Sequence, residues 1–106
     1  MKRVCLKFYA TESQKHNGKL LYEWLLERAK KLGVPGGTAL RAVAGYGRHR
    51  VLHEQAFFEL AGDMPVEIEF VADEQQAGEL IALLQAEKLH LFYIKMPVET
   101  GVVGED

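Results

Sequence analysis

At 106 residues, 48% hydrophobic and 26% charged, the chain is long enough to bury one core but too short for much surplus stability. A net charge of -2 argues against general nucleic-acid binding, and no apolar run approaches the ~20 residues of a membrane helix. The single cysteine, Cys5, excludes an internal disulfide and any cysteine-cluster zinc site; in the middle of an apolar segment it reads as a small buried residue.

Residues 3–10 alternate, with Val4, Leu6 and Phe8 on one face and Cys5, Lys7 and Tyr9 on the other, which predicts a half-buried strand. Met1-Lys2-Arg3 runs straight into it with no signal-peptide core, so a cytoplasmic protein is expected. Asn17, at the end of a polar stretch, is the expected N-cap of a helix that begins near Lys19. Leu20, Leu21, Trp24, Leu25, Ala29 and Leu32 then fall on one helical stripe, Arg28, Lys30 and Lys31 suit its last turn, and Gly33 is the natural C-terminal stop.

Pro35-Gly36-Gly37 predicts a turn, and residues 38–44 a second strand with Leu40, Ala42 and Ala44 opposite Arg41 and Val43. A long, weakly periodic connection follows. Pro65 opens the clearest strand, with Val66, Ile68 and Phe70 on one face and Glu67, Glu69 and Val71 on the other. Asp73 with Gln76 forms a capping-box variant ahead of a helix whose apolar face is Ala77, Leu80, Ile81 and Leu84. The stretch from Lys88 to Val98 contains the last strand, with Phe92, Ile94 and Met96 against Leu91, Tyr93 and Lys95; Pro97 marks either its end or a sheet edge. The tail from Glu99 is Gly-rich and acidic.

The order β-α-β-β-α-β predicts an α+β domain spanning residues 1–106, a ferredoxin-like βαββαβ sandwich. Its four-stranded antiparallel sheet would carry both helices on one face. The other face is then uncovered. Cys5, Val43, Val71, Leu91 and Tyr93, mixed there with Lys7, Arg41, Glu67, Glu69 and Lys95, suit an oligomer interface better than bare solvent.

Familiar catalytic and nucleotide motifs fail. Gly45-x-Gly47 lacks the third glycine of a dinucleotide fingerprint, no P-loop or nucleophile elbow is present, and the only serine, Ser13, sits in a polar loop. The stretch from Gly45 to Glu54 gathers chemistry instead. Gly45 and Gly47 let a backbone approach a ligand closely, while Arg48 and Arg50, with His49 between them, offer donors suited to phosphate or carboxylate. A solvated loop with turn glycines is the plain alternative. His49-x-x-x-His53 also has metal-ligand spacing if helical, with His16 or His90 as a third ligand only through tertiary structure or another subunit. Glu67 and Glu69 read as cross-strand ion-pair partners for Lys7, Arg41 and Lys95 rather than as a catalytic carboxylate pair.

Glu12-Ser13, Gly18-Lys19-x-Leu21-Tyr22-Glu23, Ala29-x-x-x-Gly33-x-x-Gly36, Thr38-x-x-Arg41-Ala42-x-x-Gly45-Tyr46-Gly47 and Asp63-Met64-Pro65-Val66-x-Ile68-Glu69 together resemble the uncharacterised domain-of-unknown-function 190 family. That family is similar in fold to PII-like signalling proteins. The resemblance implies ferredoxin-like subunits assembled as a homotrimer, residues 45–64 as the equivalent of the T-loop, and small effectors, often adenine nucleotides, held in clefts between subunits near its base.

The resulting expectation is a non-enzymatic sensor. It binds a small anionic effector through Gly45, Gly47, Arg48, Arg50 and His49, and it signals through the 45–64 connection to a target protein such as a transporter or enzyme. Two rivals stand beside it: a divalent-metal-responsive protein of the cation-tolerance type using His49 and His53, and a small enzyme working in the inter-subunit cleft.

Overall fold

The structure is a computed structural model that describes residues 2–45 and 63–105. Its main sheet is built from β1 (Lys2–Thr11), β4 (Gly36–Arg41), β5 (Pro65–Ala72) and β6 (Tyr93–Glu99), in the spatial order β4-β5-β1-β6 with every neighbouring pair antiparallel. Between β1 and the first helix, β2 (Lys15–His16) and β3 (Lys19–Leu20) form a small hairpin. Helices α1 (Leu21–Lys31) and α2 (Glu74–Ala86) pack on one side of the main sheet, α1 over β4 and β5, α2 over β5 and β1. This is the ferredoxin-like α+β sandwich.

The alternation read in β1 and β5 sets the core. Val4, Leu6, Phe8 and Ala10 from β1 and Val66, Ile68, Phe70 and Ala72 from β5 are all buried against the helices. Leu21, Trp24, Leu25 and Ala29 from α1 and Ala77, Leu80 and Leu84 from α2 close over them, as the 3.6-residue stripes predict. Phe8 and Phe70 meet edge-on with ring centroids 6.2 Å apart. Asp73 and Gln76 form the full capping box at the start of α2.

Both helices end in the same way. Gly33 has φ 86°, its N–H donates to Lys30 O, and the N–H of Val34 donates to Ala29 O. At the end of α2 the corresponding bonds run from Lys88 to Gln85 O and from Leu89 to Leu84 O, and Lys88 itself has φ 59°. These are two Schellman caps, one closed by glycine, which enters the left-handed region without steric cost, and one by a lysine, which enters it at a cost.

Four sequence expectations are corrected. Asn17 does not cap α1, which begins at Leu21 without a side-chain cap. Asn17 (φ 53°) and Gly18 (φ 80°) instead form the two-residue turn of the β2–β3 hairpin, the conformation an Asn-Gly pair favours between strands. Gly36 and Gly37 lie inside β4 rather than in a turn. The ring of Phe70 leaves no room at Gly37: a Cβ there would stand 2.7 Å from Phe70 Cε1.

The other two corrections are of strand parity. In β4, Leu40 pairs with Glu67 on the open face and Arg41 with Val66 on the helix side; the strand stops at Arg41, leaving Val43 beyond its end. In β6, Tyr93 and Lys95 pair with Phe8 and Leu6 on the helix side, while Ile94 and Met96 pair with Lys7 and Cys5 on the open face. Leu91 packs against the core from the segment before β6. Both edge strands carry apolar residues on each face, so hydrophobicity alone does not fix which face turns inward.

Candidate functional site

The ends of the 45–64 connection are fastened to the C-terminal end of β1. The Glu12 N–H donates to Met64 O at 2.8 Å, the Ala42 N–H donates to Pro65 O at 2.8 Å, and the Ser13 N–H donates to Asp63 Oδ1 at 3.1 Å. Arg41, carried past the helices on the inward side of β4, donates to the Glu12 carboxylate. Glu12, Ser13, Arg41, Asp63, Met64 and Pro65, all residues on which the family resemblance rests, therefore meet at one place. The spacing of 50 residues between Ser13 and Asp63 hid that meeting from the sequence.

Two further segments reach the same end of the sheet. The β2–β3 hairpin is held by Leu21 N–H donating to Gln14 O at 2.7 Å and by His16, whose Nε2 lies 2.8 Å from Glu87 Oε1. The His16 ring also meets Trp24 edge-on at 4.5 Å, and Arg28 lies over the indole at 5.7 Å. The hydrogen bond from His16 holds the Glu87 carboxyl below its ordinary value. The segment after α2 is tied down where the Tyr9 N–H donates to Phe92 O at 3.2 Å, with the two rings 5.7 Å apart.

The open face of the sheet carries both apolar and ionisable groups. Leu40, Ile94 and Met96 are exposed there, beside the half-buried Cys5 and Val71. Glu67 and Glu69 lie next to each other and share a hydrogen bond, which raises Glu69 and lowers Glu67 from the usual carboxyl value. Tyr9 is pushed up to about 12 by burial and by donating its hydroxyl to Glu67. Partial burial raises the Cys5 thiol. Lys7 pairs with Glu69 at 3.8 Å, as the sequence suggested. The other two cations expected on this face are elsewhere: Arg41 pairs with Glu12, and Lys95 with Glu74 at 2.7 Å on the helix side.

Of the sequence-predicted site residues, Gly45 follows the end of β4 by four residues; Gly47, Arg48, His49, Arg50 and His53 lie outside the described residues. Among the described residues no three histidine, cysteine, aspartate or glutamate side chains come together as a metal site. His16 is engaged with Glu87, and His90 lines a cavity beside the end of α2. No helix among the described residues is long and apolar enough to cross a membrane.

A family profile, DUF190, described as Uncharacterized ACR, matches residues 3–99. The chain belongs to the DUF190 family. A curated relative, the UPF0166 protein of Aquifex aeolicus, is 36% identical to this DUF190 protein over 76 residues, 72% of each chain. Among solved structures, a PII-like signalling protein from Thermus thermophilus superposes with a TM-score of 0.61 at 19% identity, covering 92% of this chain and 86% of that one. CPII from Thiomonas intermedia, bound to ADP, AMP and acetate, superposes with a TM-score of 0.67 at 16% identity, covering 95% and 90%. At these identities the likeness is one of fold: this DUF190 protein has the PII-like form of the ferredoxin-like sandwich.

Proposed function

We propose that this chain is a PII-like regulatory protein and not an enzyme. It assembles as a homotrimer through the open face of its sheet, binds a small anionic effector, with an adenine nucleotide as the first candidate, between subunits at the base of the 45–64 connection, and signals through that connection to a target protein such as a transporter or enzyme. Gly45, Gly47, Arg48, His49 and Arg50 are its proposed effector contacts.

The observation that carries this reading is the fastened base. Glu12, Ser13, Arg41, Asp63 and Met64 fix where the connection leaves and rejoins the sheet, so that a ligand beside it acts on a defined origin. Ile94 and Met96, exposed side by side on β6 next to the half-buried Cys5, support assembly, since monomers seldom leave contiguous apolar residues on a rigid surface. The nucleotides bound to CPII support the effector class. For the effector to switch the connection, it must favour one arrangement of it over another.

Sedimentation velocity and calorimetric titration with ADP and ATP test the reading. A trimer that binds nucleotide with micromolar or better affinity is expected. A monomer that binds neither removes both the cleft and the mechanism.

A further inference from the structure

The open face of the sheet has an ionisable centre set between apolar borders. Glu67 and Glu69 stand together on that face of β5. Across β1 they meet Tyr9 and Lys7, and across β4 they meet Leu40 and Thr38. Val71, Cys5 and Met96 form an apolar row to one side, and Leu40 and Ile94 lie exposed on the two edge strands.

Two carboxylates here answer to one ammonium. Lys7 pairs with Glu69 at 3.8 Å, their side chains 25% and 31% exposed. The other groups that face the pair add no positive charge. Tyr9, pushed up to about 12, keeps its proton and donates its hydroxyl to Glu67, and Cys5 is a raised thiol. Thr38 and Leu40 from β4 and Ile94 from β6 do not titrate. Arg3 stands farther along β1, opposite Val98, while Arg41 and Lys95 pair with Glu12 and Glu74. The helices lie on the other side of the sheet.

Fully ionised, Glu67, Glu69 and Lys7 sum to one negative charge on each subunit. Water carries that charge while the face is open. Covering the face with further copies removes the water and leaves a carboxylate without a counter-charge, which opposes association. One proton removes the excess: held between adjacent carboxyls, it leaves a single carboxylate for Lys7. Glu67 and Glu69 are already arranged to hold it, since they share a hydrogen bond within one subunit.

We propose that assembly through this face takes up one proton per subunit, held between Glu67 and Glu69, so that the trimer tightens as pH falls and loosens as it rises. This control rests on the open-face assembly proposed above. Its sign follows from linkage: a group that binds its proton more strongly in the assembly than in the free subunit favours association at low pH, and that contribution is lost as pH rises.

Sedimentation velocity on dilution series of the intact protein at about pH 6 and about pH 8 tests it, with Glu69→Gln alongside. The wild type is expected to dissociate at a concentration at least about tenfold higher at the upper pH. Glu69→Gln leaves one carboxylate for Lys7 without any proton, so it should remain assembled at both pH values with no such shift. Histidines also titrate in this range, and a dependence arising from them would survive Glu69→Gln unchanged. For a trimer too tight to dilute apart, the urea concentration that dissociates it gives the same reading. Equal assembly at both pH values, or a shift that persists in Glu69→Gln, overturns the proposal and leaves the trimer standing. A wild type that is monomeric at every pH and concentration overturns the assembly reading and this control with it.

Discussion

His16 and Glu87, 71 positions apart, are joined at 2.8 Å, and this bond fastens the β2–β3 hairpin to the end of α2. Glu87 is held below its ordinary value of 4.5 by that bond. A carboxyl lowered in the folded state stabilises the fold above its unfolded value and loses that contribution as pH falls through the folded value. Melting temperature followed from about pH 6 down to about pH 3 should therefore fall less steeply in Glu87→Gln than in the wild type. Parallel curves would show that the bond carries no pH-linked stability.

Gly37 faces the ring of Phe70, and an added methyl would also stand 3.1 Å from Leu26 Cδ2. Gly37→Ala should destabilise the protein by about 1–3 kcal/mol in denaturant unfolding, since the ring is buried and has little room to yield. Gly36→Ala is the matched control: nothing lies within 4 Å of its added Cβ, and the change should stay within about 0.5 kcal/mol.

Replacing Arg48 and Arg50 together by alanine should weaken nucleotide binding at least about tenfold while leaving the circular dichroism spectrum unchanged, because each charged hydrogen bond lost is worth about 1.5–3 kcal/mol. The double variant His49→Ala, His53→Ala provides the contrast. If it loses a ligand response that also disappears with chelator, while the arginine variant keeps that response, a divalent metal replaces the nucleotide as the effector.

Ile94 projects from the edge strand β6 onto the open face, 37% exposed. A carboxylate at that position would have to be desolvated in an interface between copies, beside a Lys7 that is already paired with Glu69. Ile94→Glu is therefore expected to sediment as a monomer with intact secondary structure. An unchanged trimer would move the interface away from this part of the sheet.

The central strands were legible because β1 and β5 are buried on one face only, and their alternation has a single solution: Leu6 with Phe70, Phe8 with Ile68. The edge strands were not, since Leu40 and Ile94 are as apolar as the residues pointing inward beside them. The Asn17-Gly18 pair held two signals, a helix cap and a hairpin turn, and the turn prevailed because Lys15 and His16 had Lys19 and Leu20 to pair with. At the candidate site, the meeting of Glu12 with Arg41 and of Ser13 with Asp63 depends on tertiary proximity that no local spacing encodes. Lys88 gave no sign of its backbone state, because lysine is not a residue from which a left-handed cap is expected.

The bonds from Ala42 to Pro65 and from Ser13 to Asp63 hold the two ends of the 45–64 connection at the spacing of neighbouring strands, independently of what lies between them. Loop-closure entropy alone changes the stability of the fold by about 0.6 kcal/mol for each doubling of the connection's length. That cost is small beside the bonds at the base, so the anchoring of the two ends separates the register of β4 and β5 from the length of chain that joins them.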